Sequence, residues 1–128
     1  GIVMDDGTTT RISENHYHMT TTTAQAANVR SHLEYYLQLA GPALNVNVVS
    51  TTEQWAGAAI AGPKSRDLLK KLFPNSDVSN EGLPFMGYIE EDLFGVKARI
   101  FRISFSGELA YEINVGSDNG IFMWENIM

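Results

Sequence analysis

The chain contains no cysteine. That excludes disulfides, thiolate-bound zinc and thiol nucleophiles together, and it fits a reducing, cytoplasmic setting. Basic charge is also scarce: 9 Lys and Arg stand against 15 Asp and Glu, a net charge of −6. No stripe of basic residues offsets this deficit, so a phosphate-backbone partner such as nucleic acid is not expected. Apolar runs are short throughout, leaving neither a membrane span nor the hydrophobic centre of a signal peptide. Polar low-complexity tracts are missing as well, and an apolar fraction of 44% is ordinary for a globular protein. The 128 residues suffice for one domain, or most of one, with its own core. Gly1 opens directly into an apolar run, and the helical pattern at the other end stops without a C-terminal signal. Both are expected of a piece of a longer polypeptide.

Gly1 to Ile12 reads as an extended segment carrying Asp5-Asp6-Gly7, and His16 to Thr20 as a second short strand. Thr20 to Thr23 favour extended backbone and then a helix start, with Thr22 or Thr23 as N-cap. From Ala24 to about Ala40, apolar residues recur at spacings of three and four until Gly41-Pro42 ends the helix. Strands are predicted at Asn45 to Thr51 and Gln54 to Ala61; the second is so rich in Ala and Gly that another element should approach it closely. Gly62-Pro63 opens a helix whose apolar face is Leu68, Leu69, Leu72 and Phe73, and Pro74 closes it. After a polar loop from Asn75 to Pro84, strands at Met86 to Asp92, Val96 to Ser104 and Leu109 to Val115 form a meander, with Gly95 in its first turn. Ser117 should cap a last helix containing Ile121, Phe122, Trp124 and Ile127. Hairpins with intervening helices predict an α+β fold of largely antiparallel sheet.

The strongest pattern is FRISFSGELAYEINV, residues 101 to 115. Phe101, Ile103 and Phe105 alternate with Arg102, Ser104 and Ser106, and Ser106-Gly107 supplies a turn. Leu109, Tyr111, Ile113 and Val115 then share one face, and Ala110, Glu112 and Asn114 the other. Phe101 to Phe105 and Leu109 to Val115 are expected to make the supporting core. Glu112 is fixed in mid-strand among small neighbours. It is either a solvent-facing strand position or a two-oxygen acceptor for a planar ring with adjacent N–H donors, which a carboxylate matches with two parallel hydrogen bonds.

The remaining polar clusters each have a plain reading beside a functional one. Asp5-Asp6-Gly7 is either a hairpin turn or a carboxylate at the lip of a ligand site, able to move a proton or steady a developing cation. His16 and His18 would share a strand face, but no third ligand has diagnostic spacing, so no metal is expected. The threonine run could cradle an anion at a helix start, although strand followed by cap explains it as well. Gly62-Pro63-Lys64-Ser65 lacks the glycine pattern of a phosphate loop and reads as ordinary capping. Glu90-Glu91-Asp92 reads as a solvated strand end.

Three stretches in order, GIVMDDGTTTR, TEQWAGAAIAGPKSRDLL and FRISFSGELAYEINV, resemble the folate-binding domain shared by glycine-cleavage aminomethyltransferases and sarcosine- or dimethylglycine-oxidising enzymes. The last is similar to the family's Tyr-Thr-Gly-Glu-x-Gly-Tyr-Glu stretch. Within the family, Ser-Phe-Ser-Gly-Glu-Leu-Ala-Tyr-Glu and Thr-Glu-Gln-Trp-Ala look closest to the alpha subunits of heterotetrameric sarcosine oxidases. The resemblance implies tetrahydrofolate as the bound cofactor, with the reaction yielding 5,10-methylenetetrahydrofolate. It implies that an Asp near the reactive folate nitrogens maps onto Asp6, with Asp5 the fallback, and that the Glu gripping the pterin ring maps onto Glu112.

The resemblance also implies other oxidase subunits as partners, and flavin and NAD elsewhere in the complex. A non-catalytic folate-fold binding module remains the alternative outside the enzyme class. The family's later arginine, a basic clamp for the polyglutamate tail and a dinucleotide-binding glycine motif have no counterpart in these residues. This stretch alone is therefore expected to be inactive and to bind folate weakly.

Overall fold

The structure, a computed structural model, describes residues 1–39, 41 and 43–128. Its chain forms two compact units, Gly1–Thr52 and Glu53–Met128.

In the first unit, β1 (Thr9–Ser13) and β2 (His16–Met19) form an antiparallel hairpin. The reversal falls at Glu14-Asn15, so Asp5-Asp6-Gly7 is no hairpin turn. Gly7 is needed for a different reason: a Cβ there would collide with the Thr20 carbonyl. Thr20 continues the contact, donating its N–H to Thr8 O at 2.9 Å and sharing a 2.9 Å hydroxyl bond with Thr8. A 3-10 turn at Thr23–Gln25 leads into α1 (Ala26–Leu39). Thr22 holds the N-cap position, as the sequence predicts, but its side chain makes no capping bond. The amide of Gly41 closes the helix by donating to Tyr36 O at 2.9 Å. Ala40 and Pro42, expected at this stop, lie outside the described residues.

The strand expected at Asn45 to Thr51 does not form; that stretch has no regular structure, with Leu44, Val46 and Val49 exposed. Its V-N-V alternation suits a strand, yet a strand needs a ladder partner for its amides and carbonyls. β1 and β2 make a sheet of two strands that does not include it.

The second unit is a four-stranded antiparallel sheet in the order β3-β6-β5-β4. Its strands are β3 (Trp55–Ala61), β4 (Tyr88–Leu93), β5 (Val96–Phe101) and β6 (Ala110–Gly116). The helices are α2 (Ser65–Leu72) and α3 (Gly120–Ile127). This is the α+β architecture the hydrophobic pattern predicts. Both helices pack on the face formed by Ile60, Ala98, Ile100, Tyr111, Ile113 and Val115, adding Leu69, Leu72, Phe73 and Met123 to one core. Tyr111 is fully buried, and its hydroxyl accepts a 2.8 Å bond from Arg66 Nε on α2. Ser65 Oγ donates to Leu109 O at 3.0 Å, so the Gly62–Ser65 segment fastens helix to sheet. The close approach expected at β3 is present: a Cβ on Gly120 would come within 2.8 Å of the Ala56 methyl.

Several details differ from the sequence expectation. α2 begins past Pro63, with Lys64 at its N-cap. The loop from Asn75 to Pro84 is less polar than its composition, because Val78 and Leu83 are buried in the core. On α3 the inward residue is Met123, while Ile121 and Trp124 are exposed. Gly116 holds the N-cap position before a 3-10 turn at Ser117–Asn119, and no side chain caps it, so Ser117 does not play the expected role.

β5 and β6 pair with a register centred on Ser106-Gly107, as predicted, and Gly107 has the positive φ of 84°. The ladder stops at Phe101↔Glu112, however, and residues 102–109 form a longer loop in which Phe105 is fully exposed. On the β4 side, by contrast, pairing continues through Arg102. Its N–H goes to Gly87 O, its carbonyl accepts from Met86 N–H, and its Nη1 donates to Leu83 O at 3.0 Å. No helix among the described residues is long and apolar enough to cross a membrane.

Candidate functional site

The other face of the four-stranded sheet carries no helix of its unit, and Glu112 sits on it. Alternation along β6 sends Tyr111, Ile113 and Val115 into the core and turns Glu112 and Asn114 the opposite way. The antiparallel register places Ala59 of β3 on one side of Glu112 and Phe101 of β5 on the other. Tyr88 of β4 follows beside Phe101, with the two rings 5.1 Å apart. Phe101 is thus buried on the Glu112 face and is not part of the helix-covered core, which corrects the expectation of a single supporting core.

Glu112 is half-buried, and among the described residues it has no hydrogen-bond or ion-pair partner. Burial pushes its carboxyl above the ordinary value of 4.5. A carboxylate partly shielded from water and given no donor retains unused acceptor capacity, which suits a ligand with paired N–H groups. Glu108, in the preceding loop, is exposed.

Sequence reasoning missed most of what surrounds Glu112. Arg99 of β5 pairs with Glu90 of β4 at 3.0 Å and stacks over Trp55 of β3, its guanidinium carbon 4.1 Å from the ring centre. The Tyr88 hydroxyl and the Arg99 guanidinium hold Glu90 below the usual carboxylate range. Burial, reinforced by the Glu90 carboxylate, pushes Tyr88 up to about 12. That hydroxyl feels Glu90 electrostatically without making a hydrogen bond of normal geometry. Glu90 is therefore an ion-pair partner and not merely a solvated strand end. These residues are far apart in the chain, and only the register across strands brings them to one face; no spacing rule could have found them.

Asp5 and Asp6 stand in the first unit, Glu112 in the second. Asp5 accepts the Thr22 N–H at 2.9 Å and the Thr22 hydroxyl at 2.8 Å. Desolvation alone would raise its carboxyl, but the Thr22 hydroxyl and amide, with the Asp6 amide, outweigh it and hold it below the usual range. The strand-then-cap reading of the threonine run holds in part, with Thr22 at the N-cap position, and the Asp5 carboxylate of the same chain takes its N–H and hydroxyl. Asp6 is exposed and, among the described residues, has no hydrogen-bond or ion-pair partner. Asp5 is thus committed to structure. His16 and His18 stay on β2, and no group of three His, Cys, Asp or Glu among the described residues could hold a metal ion.

Comparison with known proteins matches residues 1–128 to the GCVT N-terminal domain. The chain is 50% identical over 122 residues to a sarcosine oxidase subunit alpha from Rhizobium meliloti (strain 1021), covering 94% of this chain and 12% of that protein. A sarcosine oxidase subunit alpha from Corynebacterium sp. (strain P-1) is 48% identical over 128 residues, 99% of this chain and 13% of that protein. An aminomethyltransferase from Bacillus subtilis (strain 168) is 33% identical over 128 residues, all of this chain and 33% of that protein. The chain therefore spans a minor part of the length of the curated relatives it matches. With the family match running through both units and across all three stretches singled out in the sequence, the chain belongs to the GCVT N-terminal domain family.

Proposed function

We propose that this chain supplies part of the folate site of a sarcosine oxidase alpha subunit, at which tetrahydrofolate captures the one-carbon unit of sarcosine as 5,10-methylenetetrahydrofolate. One observation carries the reading: Glu112, a half-buried carboxylate with no hydrogen-bond or ion-pair partner among the described residues, on the sheet face away from α2 and α3 and flanked by the small Ala59 and the flat Phe101. The pterin N3–H and 2-amino group form a donor pair that a carboxylate engages with two parallel, charge-assisted hydrogen bonds, fixing the ring's orientation.

In this reading sarcosine is oxidised to its imine at a flavin elsewhere in the complex, where other oxidase subunits and NAD also belong. Tetrahydrofolate would supply N5 and N10 as joint acceptors of the one-carbon unit from the protonated imine, glycine leaving as the amine; Glu112 would hold the pterin edge, and Asp6 would accept the proton released at N10 and steady the positive charge that develops. The identity to oxidase alpha subunits favours this over the one-carbon delivery of an aminomethyltransferase or a dimethylglycine-oxidising relative. The setting is the cytoplasm.

Titration calorimetry of the intact protein with tetrahydrofolate tests the reading. Glu112→Gln should weaken binding by about 10- to 100-fold, the worth of one to two charged hydrogen bonds. Asp6→Asn should slow methylenetetrahydrofolate formation with binding largely kept. Undetectable binding at millimolar folate would leave a folate-fold module without catalysis and overturn the proposal.

A further inference from the structure

Asn119-Gly120 is the one Asn-Gly pair in the chain. It stands where the 3-10 turn Ser117–Asn119 hands over to α3, and Asn119 holds the N-cap position there. Asparagine at an N-cap ordinarily accepts an amide bond from the first turn of its helix. Asn119 does not: its side chain makes no capping bond, and among the described residues it has no hydrogen-bond partner. The carboxamide is half-buried, idle, and next to a backbone nitrogen that no Cβ shields.

Such a pair can react with itself. The Gly120 nitrogen bonds to Asn119 Cγ, the Cγ–Nδ2 bond breaks, and ammonia leaves with the Gly120 amide proton. Water then opens the cyclic imide. Opening at Cγ gives aspartate; opening at the main-chain carbonyl gives isoaspartate, whose backbone runs through Cβ and Cγ and is one methylene longer.

The fold restrains the first step in two ways. The Gly120 N–H donates to Ser117 O. The imide ring also needs Asn119 Cβ and the Gly120 nitrogen nearly eclipsed about the Cα–C bond, and an Asn119 ψ of 9° holds them well apart. Reaction therefore waits for the 3-10 turn and the first turn of α3 to open. That opening is local, because α3 buries Met123 in the core while Ile121 and Trp124 are exposed. Closing again is harder for the isoaspartyl chain. Gly120 lies so near β3 that a Cβ on it would come within 2.8 Å of the Ala56 methyl, which leaves no room for a longer backbone just before it.

We propose that Asn119 is a site of spontaneous deamidation, gated by opening of the start of α3, and that its isoaspartyl product keeps α3 from reseating on β3.

The experiment ages the intact protein in mildly alkaline buffer and follows each asparagine by peptide mass mapping, with isoaspartyl methyltransferase labelling to separate the two products. Asn119 should convert, and at least about tenfold faster in Met123→Ala, where α3 has lost its core anchor. Sub-denaturing urea on the wild type should have the same effect, and it replaces the variant if Met123→Ala does not fold. Asn119→Asp carries the aspartate product with its ordinary linkage and a good N-cap, so it should keep the wild-type Tm. The isoaspartyl fraction should melt below it. An Asn119 that stays intact even in urea removes the site. Conversion that neither loosening accelerates removes the gate, and an isoaspartyl fraction melting with Asn119→Asp shows that α3 reseats. Any of the three overturns the proposal.

Discussion

Glu112 carries a stability cost that a single substitution should expose. Its carboxyl is half-buried, has no donor among the described residues, and is held above 4.5 by burial alone. The folded state therefore binds the proton more tightly than the unfolded state, so stability must fall as pH rises from 4.5 through the raised folded value. A fully buried, unpaired polar group costs about 1–3 kcal/mol, and half exposure reduces this to about 1 kcal/mol. Glu112→Gln keeps the shape and removes the charge. In ligand-free protein near pH 7–8 it should stabilise by about 1 kcal/mol, or about 4 °C in Tm. The gain should shrink as pH falls and vanish below 4.5, where Glu112 is protonated in both states. Thermal melts of wild type and variant from acid to neutral pH measure the difference. A destabilised variant, or a gain that stays constant across pH, would refute the reasoning. The same variant is predicted to bind folate worse, so stability and function should move in opposite directions, as expected when a group is kept for its ligand.

Tyr111→Phe should cost about 1–2 kcal/mol in chemical denaturation, because the Arg66 Nε bond at 2.8 Å is lost from a buried position; a loss below about 0.3 kcal/mol would mean that water replaces the hydroxyl freely. Asp5→Ala should lower Tm and speed amide exchange at Thr22, whose N–H and hydroxyl both rest on that carboxylate. Unchanged exchange there would remove Asp5 from its structural role.

What the sequence revealed and what it hid follow from one distinction. Alternation separates the two faces of β6, so the sequence alone puts Glu112 and Asn114 on the side opposite Tyr111, Ile113 and Val115. Helices with a clear apolar stripe, such as Leu68, Leu69 and Leu72 of α2, were equally legible. Partner choice was not. The V-N-V run near residue 46 has strand character and no strand beside it, whereas Phe101 shares a face with Glu112 because of its register. Arg99, Trp55 and Glu90 meet through three strands distant in the chain, and local pattern carries no information about such meetings. Val78 and Leu83 were hidden in a segment whose composition is polar although two of its side chains anchor the core. For Asp5 and Asp6 the resemblance ranks Asp6 first and Asp5 as the fallback, whereas the Thr22 bonds of Asp5 are visible only in the fold.

The strand order β3-β6-β5-β4 also has a consequence for how the sheet assembles. β4 and β5 are joined by the two-residue turn Phe94-Gly95, a hairpin of the kind that closes in about 1–10 μs. β6 adds next across the loop 102–109. β3, though the first strand of this sheet in sequence, pairs only with β6, the fourth, and must wait for the longest loop to close. Trp55 consequently meets Arg99 in the final step of sheet formation. A polypeptide cut before Ala110 could form the β4–β5 hairpin but would lack the strand that joins β3 to it.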